Sequence, residues 1–196
     1  MLLSVFPYIC GKIGDNFATY KGIIKMKKWI LMLALPLALS ACMATRPKLN
    51  LNDPQAVSSA IAVTRDDFKK LTRYTGPDAA EDIRETLLIR AWKHDKDNQV
   101  TFQIYVSDFY KGGWRHYNQA HDSNGNSLEV NVISRDVITC SGGTCAYQED
   151  LGLQVTRDYL ERNKDSGLFF KISGKGGEET FRISGAYIKA VLSVVK

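Results

Sequence analysis

Val100-Thr-Phe-Gln-Ile-Tyr-Val106 alternates apolar and polar side chains without a break. Successive side chains of a β-strand point to opposite faces, so Val100, Phe102, Ile104 and Val106 share one face and Thr101, Gln103 and Tyr105 the other. Upstream, Leu87, Ile89 and Ala91 alternate with Leu88, Arg90 and Trp92. The charged segment His94-Asp-Lys-Asp-Asn98 separates the two runs and makes them a hairpin.

Downstream the same period continues. After the Lys111-Gly-Gly113 break, Trp114 to Ala120 reads as a strand, and His121-Asp-Ser-Asn-Gly-Asn126 as a turn. Leu128, Val130 and Val132 face one way. Their strand runs on to Val137–Cys140 through a bulge expected near Ser134-Arg135. Tyr147, Glu149, Leu151, Leu153 and Val155 share one parity, and Glu149 conflicts with that apolar face. A carboxylate there needs a partner, for which Arg135 and Arg157 are the candidates. Leu168, Phe170 and Ile172 form a strand that turns at Lys175-Gly-Gly177 and pairs with Phe181 and Ile183.

Helical signals are short. Asp53-Pro54 has the form of an N-cap followed by proline at the first helical position. Arg157–Lys164 suits one or two helical turns. Ile188, Val191, Leu192 and Val195 recur at helical spacing behind Ser184, a further N-cap candidate. Between Val63 and Pro77 two readings stand: a helix opened by Thr64-Arg-Asp-Asp67, or a strand over Leu71–Thr75. Residues 78–85 read as a polar loop. The sum is a mainly β chain of about eight short strands: an antiparallel β-sandwich or a strongly bent sheet, with short peripheral helices.

The start of the chain is of another kind. Trp29 to Leu39 is apolar and uncharged, Lys27-Lys28 precede it, and Ser40-Ala41-Cys42 follow. That is the layout of a secretory signal, too short to span a bilayer. Leu39-Ser40-Ala41-Cys42 resembles the lipobox of bacterial lipoproteins. The resemblance implies cleavage before Cys42, lipidation of its sulfur and anchorage in a lipid bilayer. Met43, rather than Asp, after the cysteine is similar to the pattern for outer-membrane delivery, facing the periplasm. Met26 opens a more typical signal than Met1 and is the expected start. The expected organisation is therefore a leader over 1–41, a lipid anchor and tether over 42–53, and one β-rich domain over 54–196. The order Asp67-Phe68, Gly76-Pro77, Trp114, Ala120, Gly125, Cys140, Cys145, Glu149, Gly167 and Tyr187 resembles a group of uncharacterised bacterial lipoproteins. That likeness supports the domain span and implies no activity.

Removing 1–41 takes away Lys12, Lys21, Lys25, Lys27 and Lys28 against Asp15, leaving 26 − 5 = 21 basic and 21 − 1 = 20 acidic residues. The sequence pI of about 9.0 thus belongs largely to the leader. It gives no reason to expect nucleic acid as a partner. Of the four cysteines, Cys10 leaves with the leader and Cys42 takes the lipid. Cys140-Ser-Gly-Gly-Thr-Cys145 then reads as a disulfide clasping a hairpin tip, as an oxidising compartment favours.

Chemical signatures are sparse. His94, His116 and His121 are scattered, so no metal site is expected, nor a cofactor. His121-Asp122 lacks a nucleophile elbow and reads as an exposed turn. Lys175-Gly-Gly177 lacks phosphate-loop spacing. Trp114-Arg115-His116-Tyr117 groups residue types favoured at binding hot spots and is the candidate binding patch. On a strand, Trp114 and His116 would share one face, Arg115 and Tyr117 the other. The expected function is a non-enzymatic, membrane-anchored module binding an envelope protein, with exposed strand edges as one route. The alternatives are a hydrolase acting on envelope polymers or lipids, which needs a cleft uniting Glu149 with a histidine or second carboxylate, and a small-ligand or lipid carrier, which needs an apolar cavity.

Overall fold

The computed structural model describes residues 49–196. The leader, the lipobox with Cys42, and the first part of the tether lie outside the described residues. From Asp53 on, the elements are α1 (Pro54–Ala60), β1 (Ala62–Asp66), β2 (Leu71–Thr75), β3 (Thr86–His94), β4 (Val100–Gly112), β5 (Tyr117–Asp122), β6 (Ser127–Ser141), β7 (Thr144–Val155), α2 (Arg157–Asn163), β8 (Leu168–Gly174), β9 (Gly177–Ile183) and α3 (Gly185–Val194). The mainly β, antiparallel class with short helices is what forms. The strand count is nine, because Val63–Thr75 resolves into the hairpin β1–β2. Asp66 takes the place of a helix cap there: its carboxylate accepts from the Phe68 and Lys69 amides and tightens the turn.

All nine strands belong to one antiparallel sheet, in the order β1-β2-β3-β4-β7-β6-β5-β8-β9. Its two parts join through a short ladder, Ala120 opposite Leu128 and His121 opposite Ser127. Beyond these pairs β5 leaves β6, while β6 continues along β7 to the hairpin tip. The sheet bends over itself at this opening. Leu87, Ile89, Phe102, Ile104 and Leu153 from one part pack in a single core with Phe170, Ile172, Phe181 and Ile183 from the other. This is the period-two pattern read from sequence, with the inward parity of β3, β4 and β7 preserved across the ladder.

The helices close the open side of the core. Asp53, Thr156 and Ser184 cap α1, α2 and α3 through their side-chain oxygens. Tyr187, Ile188 and Val191 bury one face of α3, and Val57 and Leu160 bury α1 and α2. The Tyr187 hydroxyl donates to the Pro77 carbonyl at 2.7 Å and accepts from the Ile89 amide at 3.3 Å, tying α3 to the start of β3.

Sequence and structure differ at two strand boundaries. β5 begins at Tyr117, not Trp114, because Trp114–His116 turn away from the ladder. The bulge expected near Ser134-Arg135 is two bulges, between Val132 and Ser134 and between Val137 and Thr139, on either side of that pair. Cys140 and Cys145 stand directly opposite each other at disulfide-bonding distance, with Cα atoms 4.0 Å apart.

Replacing Tyr187 by Phe removes both hydroxyl contacts while keeping the ring. The expected loss is about 1–2 kcal/mol, read from urea unfolding with an unchanged m-value.

Candidate functional site

The candidate patch sits on the connection between β4 and β5. Gly112 and His116 both take positive φ, +117° and +52°, which turns the chain sharply out of β4 and back into β5. Only a few per cent of non-glycine residues adopt such a φ, so His116 needs external support. Glu149 supplies it from β7. The residue is fully buried, at 0% exposure. Its Oε1 accepts from the His116 amide at 2.8 Å and from the Tyr110 hydroxyl. Its Oε2 accepts from the Tyr117 amide at 3.0 Å and from Arg135 Nε at 2.9 Å. Arg135 also donates through Nη2 to the Tyr117 carbonyl at 2.7 Å, spanning the opening between β5 and β6. Of the two candidate partners, Arg135 is the one used; Arg157 donates to the Val195 carbonyl instead.

A second buried carboxylate lies alongside. Asp108 Oδ2 accepts from the Tyr117 hydroxyl at 2.6 Å and from Arg115 Nη1 at 2.9 Å. Arg115 Nη1 reaches Glu179 of β9 at 3.1 Å as well, and its guanidinium lies 4.4 Å from the centre of the Tyr110 ring. Thus β4, the connection, β5, β7 and β9 meet in one polar network. The two acids respond oppositely to similar burial. Burial pushes Glu149 up, but Tyr110, Arg135 and the two amides outweigh it and hold the carboxyl below its ordinary range. Burial wins at Asp108, which is pushed up with help from Glu179 despite Tyr117 and Arg115. Burial and Glu149 together raise the Tyr110 phenol, so it stays a donor at neutral pH.

The connection also lies against the β8–β9 turn. The Gly176 amide donates to the Arg115 carbonyl at 2.9 Å. A side chain at Gly174 or Gly176 would collide with backbone atoms of Trp114, Arg115 and His116. These glycines are required by close backbone approach.

The expected patch is therefore divided. Tyr117 is buried and Arg115 is turned inward, both as members of the network. Trp114 is half-buried and His116 exposed, and their rings stack at 5.6 Å on the outside. The pairing by parity holds although this stretch is not a strand. Trp114 also packs on Tyr147 at 4.4 Å, and Tyr147 faces Val137 across the β6–β7 ladder. Val132, Ile133, Val137 and Ile138 of β6 are all exposed, and of these Val137 stands directly opposite Tyr147 and so adjoins the rings. Tyr147 was legible as an inward residue of β7. Asp108 and Tyr110 continue the inward parity of β4 beyond the run read as a strand, and Glu179 joins them from β9, which nothing local marks.

Every buried side-chain nitrogen or oxygen among the described residues has a hydrogen-bond partner. Both Glu149 oxygens are saturated by donors, and no histidine side chain contacts them. Around Glu149 the network holds the backbone in place and encloses the carboxylate.

Glu149→Gln should cost about 3 kcal/mol at neutral pH, since it leaves Arg135 and two amides facing an uncharged group. The folded carboxyl lies below its ordinary value of 4.5, so its stabilisation is full above that value and is lost as pH falls through the folded pKa. The gap between wild type and variant should therefore narrow in acid, as urea titrations at several pH values would read. Gly176→Ala should cost about 2 kcal/mol or more by displacing the connection, and should change the near-UV signal of Trp114.

No protein-family description, curated protein or solved structure matches this chain.

Proposed function

We propose that the protein is a membrane-anchored lipoprotein of the cell envelope, held in the bilayer through acylated Cys42, whose β-rich domain binds another envelope protein without catalysis. The observation that carries the binding reading is the surface formed by Trp114, His116, Tyr147 and Val137, displayed by a connection whose backbone is pinned from beneath. Aromatic side chains held rigidly in place lose little entropy on binding, and such preorganisation favours tight contact. Further exposed apolar residues, Val132, Ile133 and Ile138, lie on the same strand as Val137. The anchor and the outer-membrane placement rest on the lipobox and its following residue.

Side chains, rather than strand addition, provide the contact. Most of β6 has a free edge beyond Leu128, but its two bulges break the regular spacing that an added strand would need. The hydrolase reading would gain from an accessible Glu149, and that carboxylate is enclosed.

The test is crosslinking in intact cells expressing the anchored protein, followed by identification of its adducts. One dominant envelope protein is expected, lost in Trp114→Ala and in Val137→Glu, while Val137→Glu leaves the melting temperature nearly unchanged because the side chain is exposed. Adducts that persist in both variants, or the absence of any at native abundance, would overturn the binding surface. Cys42→Ala should move the protein from the membrane to the soluble fraction; retention in the membrane would overturn the anchor separately.

A further inference from the structure

Residues Ala79–Glu85 lie between two clefts. One, of about 430 Å3, runs between this segment and β9, with Glu85, Leu87, Glu179 and Phe181 in its walls. The other, of about 330 Å3, lies on the far side, against Leu51, Asn52, Ser184 and Tyr187. Ala79, Ala80, Glu81 and Arg182 line both. The segment is thus a strap that separates two voids.

Its attachment is weak in the middle and firm at the ends. The Ala79 amide donates to the Leu87 carbonyl at 2.7 Å, and the Asp78 carboxylate accepts from the Leu87 amide at 2.9 Å. Between these ends the hydrogen bonds are internal. Asp82 accepts from the Arg84 backbone and guanidinium and, through its carbonyl, from the Glu85 amide. Among the described residues, no hydrogen bond ties Ala80–Glu85 to any residue outside Asp78–Leu87. Ile83 at its tip is fully exposed. What holds the strap down is the partial burial of Ala80 and Glu85.

We propose that Ala80–Glu85 is a pH-responsive strap, seated while Glu85 is protonated and lifted when it ionises, so that the two clefts become one. The charges around Glu85 set this behaviour. Asp108 faces it from β4, Glu179 from β9 and Asp82 from the strap itself; Glu81 lines the same cleft. Of the cations nearby, Arg84 is paired with Asp82, and Arg115 with Asp108 and Glu179, while Arg182 lines the same cleft. Burial, then Asp108, Glu179 and Asp82, push the Glu85 carboxyl up to about 7, with Arg84 opposing them. A carboxylate raised in the folded state stabilises the seated form below its ordinary range and loses that contribution as pH rises through the raised value. The strap therefore lifts on the alkaline side. This device is independent of the binding surface on Trp114 and Val137.

The experiment is NMR on the mature domain between about pH 5 and 9, following the Glu85 side-chain carboxyl and the exchange of the Ala79, Glu85 and Leu87 amides. Glu85 should titrate near 7. After correction for intrinsic rates, protection of the three amides should fall about tenfold from pH 5 to pH 8, a coupling reduced from its ideal value by solvent screening. In Glu85→Gln, protection should stay high throughout. A Glu85 midpoint in the ordinary carboxylate range, or an equal loss of protection in Glu85→Gln, would overturn the proposal.

Discussion

A carboxylate removed from water must be given donors, and Glu149 takes its donors from three separate stretches of chain. Tyr110 reaches it from β4, Arg135 from β6, and the His116 and Tyr117 amides from the connection into β5. An unpaired charge at this depth would cost several kcal/mol, so the three stretches are bound to one relative placement. An apolar residue at the same position would fill the space and would specify nothing about the backbone around it. The inverted polarity at one inward position of β7 is thus what fixes where the sheet can fold over.

The bend follows from that placement. β5 and β6 pair for two residues and then separate, which leaves backbone groups of Tyr117 without a ladder partner. Glu149 takes the Tyr117 amide, and Arg135 the carbonyl. Side chains replace the missing ladder, and the sheet opens without burying unsatisfied groups. Opposite, the glycines of the β8–β9 turn allow the connection to lie directly on backbone. The connection is clamped between a carboxylate and a glycine turn, and its rings can only point outward.

Charge is distributed unevenly over the same region. Arg115 is shared between Asp108, the Tyr117 hydroxyl and Glu179. One guanidinium serving two carboxylates leaves a third, Glu85, inadequately compensated at the mouth of the adjoining cleft. The polar cluster therefore has a rigid side, where both Glu149 oxygens are saturated, and a responsive side, where a strap carries the unbalanced acid. Long unpaired edges are handled differently: β6 is interrupted by two bulges and β1 is five residues long.

Much of the fold is local and so was legible in sequence. Strand parity in β3, β4 and β7, the turn at Asn124-Gly125, the caps at Asp53 and Ser184 and the pairing of Cys140 with Cys145 each depend on neighbours a few residues away. Glu149 was visible as a conflict on an apolar face, with Arg135 and Arg157 as candidate partners; the bulge between Val137 and Thr139 is what sets Arg135 opposite it. The strand over Leu71–Thr75 stood undecided against a helix opened by Thr64-Arg-Asp-Asp67, since short polar side chains can cap a helix or close a turn, as Asp66 does. Asp108, Tyr110 and Arg115 lie close together in the chain, but Glu149 and Glu179 reach them from strands further along it, and no local pattern encodes that meeting. Alternation and turn chemistry act over a few residues, so the buried face of β3, β4, β7 and β8 and the place of most turns could be read directly from the chain. Where the sheet bends, which half of Trp114–Tyr117 faces water, and which acid is crowded by other acids emerge in three dimensions alone, because burial and charge balance depend on residues brought together from the whole domain.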